Sequence, residues 1–239
     1  SDALSFELES AGMGAFPEGF CIRKLQKELE RKWNRERLWG GGPGVTGCTN
    51  AWMEGSGFAD LLKSGPERGE DQRFFYNGFL RISGVEDKVT YLNELYQFQL
   101  AVRNQERSLV VLEHEIPVPS SEEIRMVPRK NYSDAEQMFA DLSREIQYTA
   151  DRELEKLMRK AFIDILSEEE EAPGMNLNRL VNHAVYLICW LRRYTPGLFE
   201  SRKLQKISCL IYLGGVKNGK EAMFLKLLSR LPVDVLILK

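Results

Sequence analysis

The carboxyl-terminal segment constrains this chain most, because it spells out a complete supersecondary unit. Lys206-Ile-Ser-Cys-Leu-Ile-Tyr-Leu213 predicts a buried strand and Gly214-Gly-Val-Lys-Asn-Gly-Lys220 a glycine-rich turn. Glu221-Ala-Met-Phe-Leu-Lys-Leu-Leu-Ser-Arg-Leu231 predicts a helix, and Pro232-Val-Asp-Val-Leu-Ile-Leu238 a second apolar strand. Strand, turn, helix and strand in this compass form the βαβ unit of a parallel sheet. A loop and more chain normally follow such a strand, yet the sequence stops at Lys239, so a longer protein is expected.

A second unit lies upstream. Phe79-Leu-Arg-Ile82 reads as a strand ending at Ser83-Gly84, and a helix opens with the acids Glu86 and Asp87. Tyr91, Leu95, Phe98 and Val102 form one helical stripe, which Val89, Leu92 and Tyr96 widen, as expected for a helix packed on a sheet. The link Asn104 to Arg107 leads to a strand at Ser108–Leu112. Between the two units, Ser133-Asp-Ala-Glu136 predicts a capping box. It opens a long helical stretch whose face (Phe139, Leu142, Ile146, Leu154, Leu157, Ala161, Ile165) holds through Leu166, with a break near Thr149. A further helix is expected from Leu177 to Arg193, ending near Pro196-Gly197.

The expected architecture is therefore α/β, with Rossmann-like parallel-sheet βαβ units over residues 73–239, a helical insertion at about 133–193, and an incomplete carboxyl end. Residues 1–72 read as a glycine-rich arm with one basic amphipathic helix at 21–37, where Ile22, Leu25, Leu29 and Trp33 share a face.

Charge excludes some partners. Lys plus Arg number 33 against 35 Asp plus Glu, a net charge of -2, so nothing drives the whole chain to nucleic acid or anionic membrane. The basic face of 21–37 reads as a solvated helix surface, and nucleic acid is not an expected partner. Ala184-Val-Tyr-Leu-Ile-Cys-Trp-Leu191 is the longest apolar run, far below the ~20 residues of a membrane span. Cys21, Cys48, Cys189 and Cys209 are scattered, and the last two sit in apolar runs as small hydrophobes, which points to a reducing, cytoplasmic setting.

Gly214-x-x-x-x-Gly219-Lys220 matches the phosphate-loop spacing, between strand and helix where amides and a lysine cradle phosphate. The next residue should be Ser or Thr to ligate Mg²⁺; it is Glu221, a carboxylate that would repel phosphate, so a Gly/Asn turn starting a helix is the preferred reading. A positional argument goes further. Ligands of open parallel sheets bind beyond the carboxyl ends of the strands. If the strands ending at Ile82, Leu112 and Leu213 share one sheet, their edge gathers Gly84, Glu86, His114, Gly214, Gly215, Asn218 and Lys220 as candidate ligand-binding residues, beside Ser83, Glu113 and Glu115. Polar and glycine residues also collect at strand ends with no ligand to bind. His114 and His183 lack metal-ligand spacing, so no metal site is expected; His183 reads as a packed helical histidine, and Cys48 as a loop thiol. No residue set marks a catalytic reaction or a cofactor.

Two stretches, Phe79-Leu-Arg-Ile-Ser-Gly-Val-Glu-Asp-Lys-Val-Thr-Tyr-Leu-Asn-Glu-Leu-Tyr-Gln-Phe98 and Asn218-Gly-Lys-Glu-Ala-Met-Phe-Leu-Lys-Leu-Leu-Ser-Arg-Leu-Pro-Val-Asp-Val-Leu-Ile237, resemble the bacterial YceG-like proteins linked to tellurite resistance. The resemblance implies a cytoplasmic component of a Ter-type stress operon, encoded near TerD-like calcium-binding and TelA-like proteins in a biosynthetic module. It carries over no catalytic residue. The resulting expectation is a component that holds a small phosphorylated or nucleotide-like ligand at the sheet edge. The alternative is a non-catalytic scaffold, docking partner proteins of the same operon through the 139–165 face and the 177–191 helix.

Overall fold

A computed structural model describes residues 49–52, 57–64, 66–68, 74–82, 87–199, 206–214 and 216–238. The predicted basic helix at 21–37 and the glycine-rich stretch at 40–48 lie outside them. The described elements run β1 (Thr49–Trp52), α1 (Phe58–Leu61), β2 (Phe74–Asn77), β3 (Phe79–Ile82), α2 (Lys88–Asn104), β4 (Leu109–Leu112), α3 (Ser121–Arg125), α4 (Ala135–Leu142), α5 (Arg152–Glu170), α6 (Leu177–Phe199), β5 (Ser208–Leu213), α7 (Gly219–Leu228) and β6 (Val233–Leu238). β1 and β2 pair parallel as a two-stranded sheet. The other four strands form one parallel sheet in the order β3-β6-β5-β4. The chain is thus α/β, as expected.

The strand order corrects the first predicted unit. β3 and β4, although joined by a single helix, are not neighbours; they occupy opposite edges of the sheet, with β6 and β5 between them. Burial explains why. Every residue of β6 and all but the last of β5 are buried, as continuous apolar runs covered on both faces require. β4 is only half-buried until Leu112 and takes an edge. The β3-to-β4 connection crosses the sheet in one direction and the β4-β5-β6 connections return in the other. With right-handed crossovers, the two sets of helices cover opposite faces.

Local chemistry sets the helix ends. Asp87 caps α2 by accepting from the Val89 and Thr90 amides, so this helix starts after the predicted Glu86. Asp134, not Ser133, caps α4 through the Gln137 amide. The long predicted helix is broken more extensively than expected: a 3₁₀ turn at Ser143–Glu145 and a non-helical link follow α4, and Asp151 caps a new helix at Arg152. α6 runs past its predicted end, through Pro196 to Phe199. Gly197 lies against β4, where a Cβ would stand 3.4 Å from Val110 Cγ2, an ordinary contact distance.

Two predicted apolar surfaces change role. Leu154, Leu157, Met158, Ala161, Phe162 and Ile165 of α5 are buried, as are Leu180, Ala184, Leu187, Ile188 and Leu191 of α6. The faces expected to dock a partner are instead the core between helices. Conversely, Val89, Leu92 and Tyr96 of α2 are 76%, 51% and 57% exposed and do not pack on the sheet. Leu95, Phe98 and Val102 make that contact, with Phe58 of α1 stacked on Phe98 at 5.2 Å between ring centroids.

At the amino end of the sheet Asp234 is wholly buried between two arginines. Arg68 grips its carboxylate with two bonds of 2.8 Å, Arg107 donates to Oδ2, and the Gly78 amide donates to Oδ1 at 2.7 Å. The arginines also donate to main-chain oxygens: Arg68 Nε to Lys63 at 2.8 Å, and Arg107 to Leu61 and Ile207 at 2.7 Å each. Buried charge survives only when paired and hydrogen-bonded this fully.

Candidate functional site

The register brings the carboxyl ends of the four strands into line. Leu112 pairs with Tyr212 and Tyr212 with Ile237, while Leu213 pairs with Leu238 and Leu238 with Ile82. The residues following β4 and β5 therefore share one edge, as the positional argument requires. Gly84, Glu86 and Gly215 lie outside the described residues. The other four candidates are present, and their roles differ.

Gly214 continues the ladder. Its amide donates to the Leu238 carbonyl at 2.7 Å, and its φ of +129° suits glycine because a Cβ is strained there. Asn218 is the cap of α7; its side-chain oxygen accepts from the Lys220 amide at 3.0 Å and the Glu221 amide at 3.1 Å. His114 stands exposed in the turn after β4, next to the exposed Glu113 and Glu115. Lys220 is half-buried, its ammonium 3.7 Å from the centroid of the Tyr186 ring. A cation over a ring face gains about 0.5–2 kcal/mol. Burial pulls the Lys220 ammonium below the ordinary lysine value, and no carboxylate pairs with it among the described residues.

The centre of the loop is Glu221, which carries more structure than its predicted role of repelling phosphate. It is 1% exposed. One carboxylate oxygen accepts from the Ile116 amide at 3.1 Å; the other accepts from the Lys217 amide at 2.7 Å and the Tyr212 hydroxyl at 3.2 Å. In a phosphate loop an amide at the position of Lys217 would face a bound oxyanion. Here the protein's own carboxylate fills the place, at the positive end of α7. Burial, reinforced by the adjacent Glu221 charge, pushes the Tyr212 phenol up, so it keeps its proton and donates. The G-x-x-x-x-G-K spacing therefore builds a loop already occupied by an internal anion.

Aromatic packing fixes the surroundings. Tyr186 stands edge-on to Trp190 at 5.6 Å. Trp190 Nε1 donates to the Pro117 carbonyl at 3.0 Å, and Arg193 donates to the same oxygen at 2.7 Å while holding Glu123 at 2.8 Å. The β4–α3 loop bearing His114 is thus tied to the helix bearing Tyr186. Sequence reasoning missed Glu221 as a ligand of its own loop, along with Tyr212, Ile116 and Tyr186. The usable signal was Asn218-x-x-Glu221, the spacing of a helix cap and the acid that folds back over it. Here the acid reaches one residue further back, to Lys217.

Elsewhere, His183 sits half-buried in α6 with Nδ1 3.5 Å from a Glu169 oxygen, a packed helical position as predicted. Cys189 and Cys209 are buried free thiols; burial pushes Cys209 up to about 12, which leaves it unreactive. Among the described residues no three potential ligands gather as a metal site, and no helix is long and apolar enough to cross a membrane.

No curated protein and no solved structure matches the chain. The YceG domain profile, however, matches residues 58–239, from the start of α1 through the whole four-stranded sheet and its helices. That span is most of the sequence and includes every element of the sheet edge just described. The chain belongs to the YceG domain family.

Proposed function

We propose that this YceG domain is the ligand-holding component of a Ter-type stress-response system in the cytoplasm, and that it takes a small phosphorylated or nucleotide-like molecule at the carboxyl edge of its Rossmann-like sheet. One observation carries this reading: Lys220 is a half-buried cation on the Tyr186 face with no carboxylate partner among the described residues. A cation drawn partly out of water and left unpaired favours an incoming anion. The amides of Gly214 and Lys217 and the oxygen of Asn218 are committed to the fold. The ligand's anionic group would therefore meet the Lys220 ammonium and the imidazole of His114, outside the loop that Glu221 fills.

Thermal unfolding of the full chain with ATP, AMP or inorganic phosphate tests it. The expected result is a saturable rise of several degrees with at least one of the three, since ligand at 100 times its Kd adds about 2.7 kcal/mol. Lys220→Ala, on the rim and not in the core, should remove that rise while leaving the ligand-free midpoint within a few degrees. No rise with any of the three, or an equal rise in Lys220→Ala, defeats the proposal.

A specific observation also favours the scaffold reading, on a different surface from the one first expected. Val89, Leu92 and Tyr96 are exposed at successive positions of one α2 face, the spacing by which a helix presents anchors to a partner. Leu92→Glu should leave the unfolding midpoint within about 0.5 kcal/mol of wild type and abolish any association with proteins of the same operon. A wild-type chain that sediments as a monomer and retains none of them would end this reading.

A further inference from the structure

The helical layer contains a cavity that the sheet edge does not use. It has a volume of about 410 Å³, within the ~300–1,000 Å³ of small-molecule sites. Ile146, Tyr148, Met158, Ile188 and Leu191 supply an apolar lining. The wall formed by residues 146–148 is pinned from three directions. Arg159 Nε donates to the Ile146 carbonyl at 2.9 Å, the Tyr148 amide donates to Glu155 at 2.6 Å, and the Tyr148 hydroxyl donates to the Phe199 carbonyl at 3.1 Å. The cavity is therefore preformed by rigid contacts.

One buried polar side chain of the lining has no internal partner, whereas Gln147, also in the lining, is exposed to solvent. Thr195 is a buried residue of the lining, and its hydroxyl makes no hydrogen bond among the described residues. A helical threonine ordinarily satisfies itself on a carbonyl one turn back; this one does not. The neighbouring Pro196 also lines the cavity and has no N–H, so the Arg192 carbonyl loses the donor that an unbroken helix would supply. At the mouth Arg192 is already neutralised by Glu145 at 2.8 Å. The cavity thus offers apolar walls, one unpaired hydroxyl beside a helix break, and no net charge at its rim.

We propose that this cavity binds an uncharged, mostly apolar small molecule bearing a single hydrogen-bonding hydroxyl or carbonyl, which pairs with the Thr195 hydroxyl. The site is independent of the anion site at the sheet edge and stands or falls apart from it. Phosphate, with its charge and no apolar surface, does not suit these walls. A partner's aromatic side chain could enter the same opening, and the use of free small molecules separates that case.

Two-dimensional amide NMR of the full chain, titrated with 2-naphthol and with naphthalene, tests the proposal. The expected result is saturable one-to-one binding of 2-naphthol, with shifts concentrated at residues 146–150 and 188–196. Thr195→Val keeps the shape and removes the hydroxyl. It should weaken 2-naphthol up to about tenfold, one net hydrogen bond, while naphthalene binding stays unchanged. Ala150→Trp, at an exposed lining position that tolerates a larger side chain, should block both probes. Failure of either probe to saturate, or binding that survives Ala150→Trp, would overturn the assignment. Equal weakening of both probes by Thr195→Val would overturn the role given to the hydroxyl.

Discussion

Replacing Asp234 with asparagine should cost this domain about 3–5 kcal/mol, the usual result of removing one partner from a buried ion cluster. Asp234 is 0% exposed, and its two arginine partners are almost as deeply buried. Asparagine preserves the volume and still offers an oxygen to the Gly78 amide, so packing and main-chain bonding change little. What changes is charge: Arg68 and Arg107 both lose the buried carboxylate that they share. Against a typical total stability of about 5–15 kcal/mol, that is a large fraction. Urea unfolding followed by far-UV circular dichroism measures it. Lys130→Gln, which removes the exposed Lys130–Asp141 pair, should fall within about 1 kcal/mol of wild type and serves as the reference. A loss below about 1 kcal/mol in Asp234→Asn would mean that water reaches the cluster.

The size of the effect follows from what the cluster joins. Arg68 belongs to the short turn before β2, Arg107 to the entry of β4, Gly78 to the entry of β3, and Asp234 to β6. The first three segments are all distant in sequence from Asp234, and its one carboxylate fixes them together at the amino end of the sheet. The opposite end, where ligands of parallel sheets enter, is left to the β4 and β5 loops. The stabilising charge and the candidate site thus occupy opposite ends of the same strands.

Periodicity revealed the elements better than their arrangement. β5, α7 and β6 were legible because continuous apolar strands flank a glycine turn, a pattern that few other structures satisfy. The position of β3 across the sheet from β4 was not legible, since a βαβ pattern records that two strands are parallel and not how many strands lie between them. The stripe on α2 was read too wide: Val89, Leu92 and Tyr96 extend the apolar face in sequence but lie beyond the arc that reaches the sheet. The break after Leu142 was underestimated because Ile146 keeps apolar phase while the backbone leaves the helix. Asp234 was visible as a lone acid in an apolar strand, which demands a partner. Its partners, however, lay in segments read as the glycine-rich arm and a link, and no local pattern connects them to Asp234. At the site, Asn218 and Gly214 were correctly placed on the edge, but their atoms serve the fold. Spacing alone cannot tell an amide that waits for a ligand from one already satisfied by a neighbouring carboxylate.

That last distinction leads to the second large effect. Glu221→Ala should cost about 3–5 kcal/mol, because it removes the acceptor of the buried Ile116 amide, of the part-buried Lys217 amide and of the Tyr212 hydroxyl, and a buried donor that loses its partner costs roughly 1–3 kcal/mol. Glu221→Gln should cost less: it retains one acceptor oxygen but turns an NH₂ toward groups that are themselves donors. The hole left by alanine is shaped and wired for a carboxylate. Sodium formate should therefore restore stability to Glu221→Ala beyond any effect of equal sodium chloride, and should not do so for wild type, where the place is filled. At ten times its dissociation constant formate returns about 1.4 kcal/mol. Equal responses of both proteins to formate would show that the loop collapses when the side chain is lost, and that its amides hold no anion-binding geometry of their own. A formate-specific gain confined to the variant would show that the loop is a working anion cradle whose resident anion is its own glutamate, so that an external ligand is directed to Lys220 at the rim.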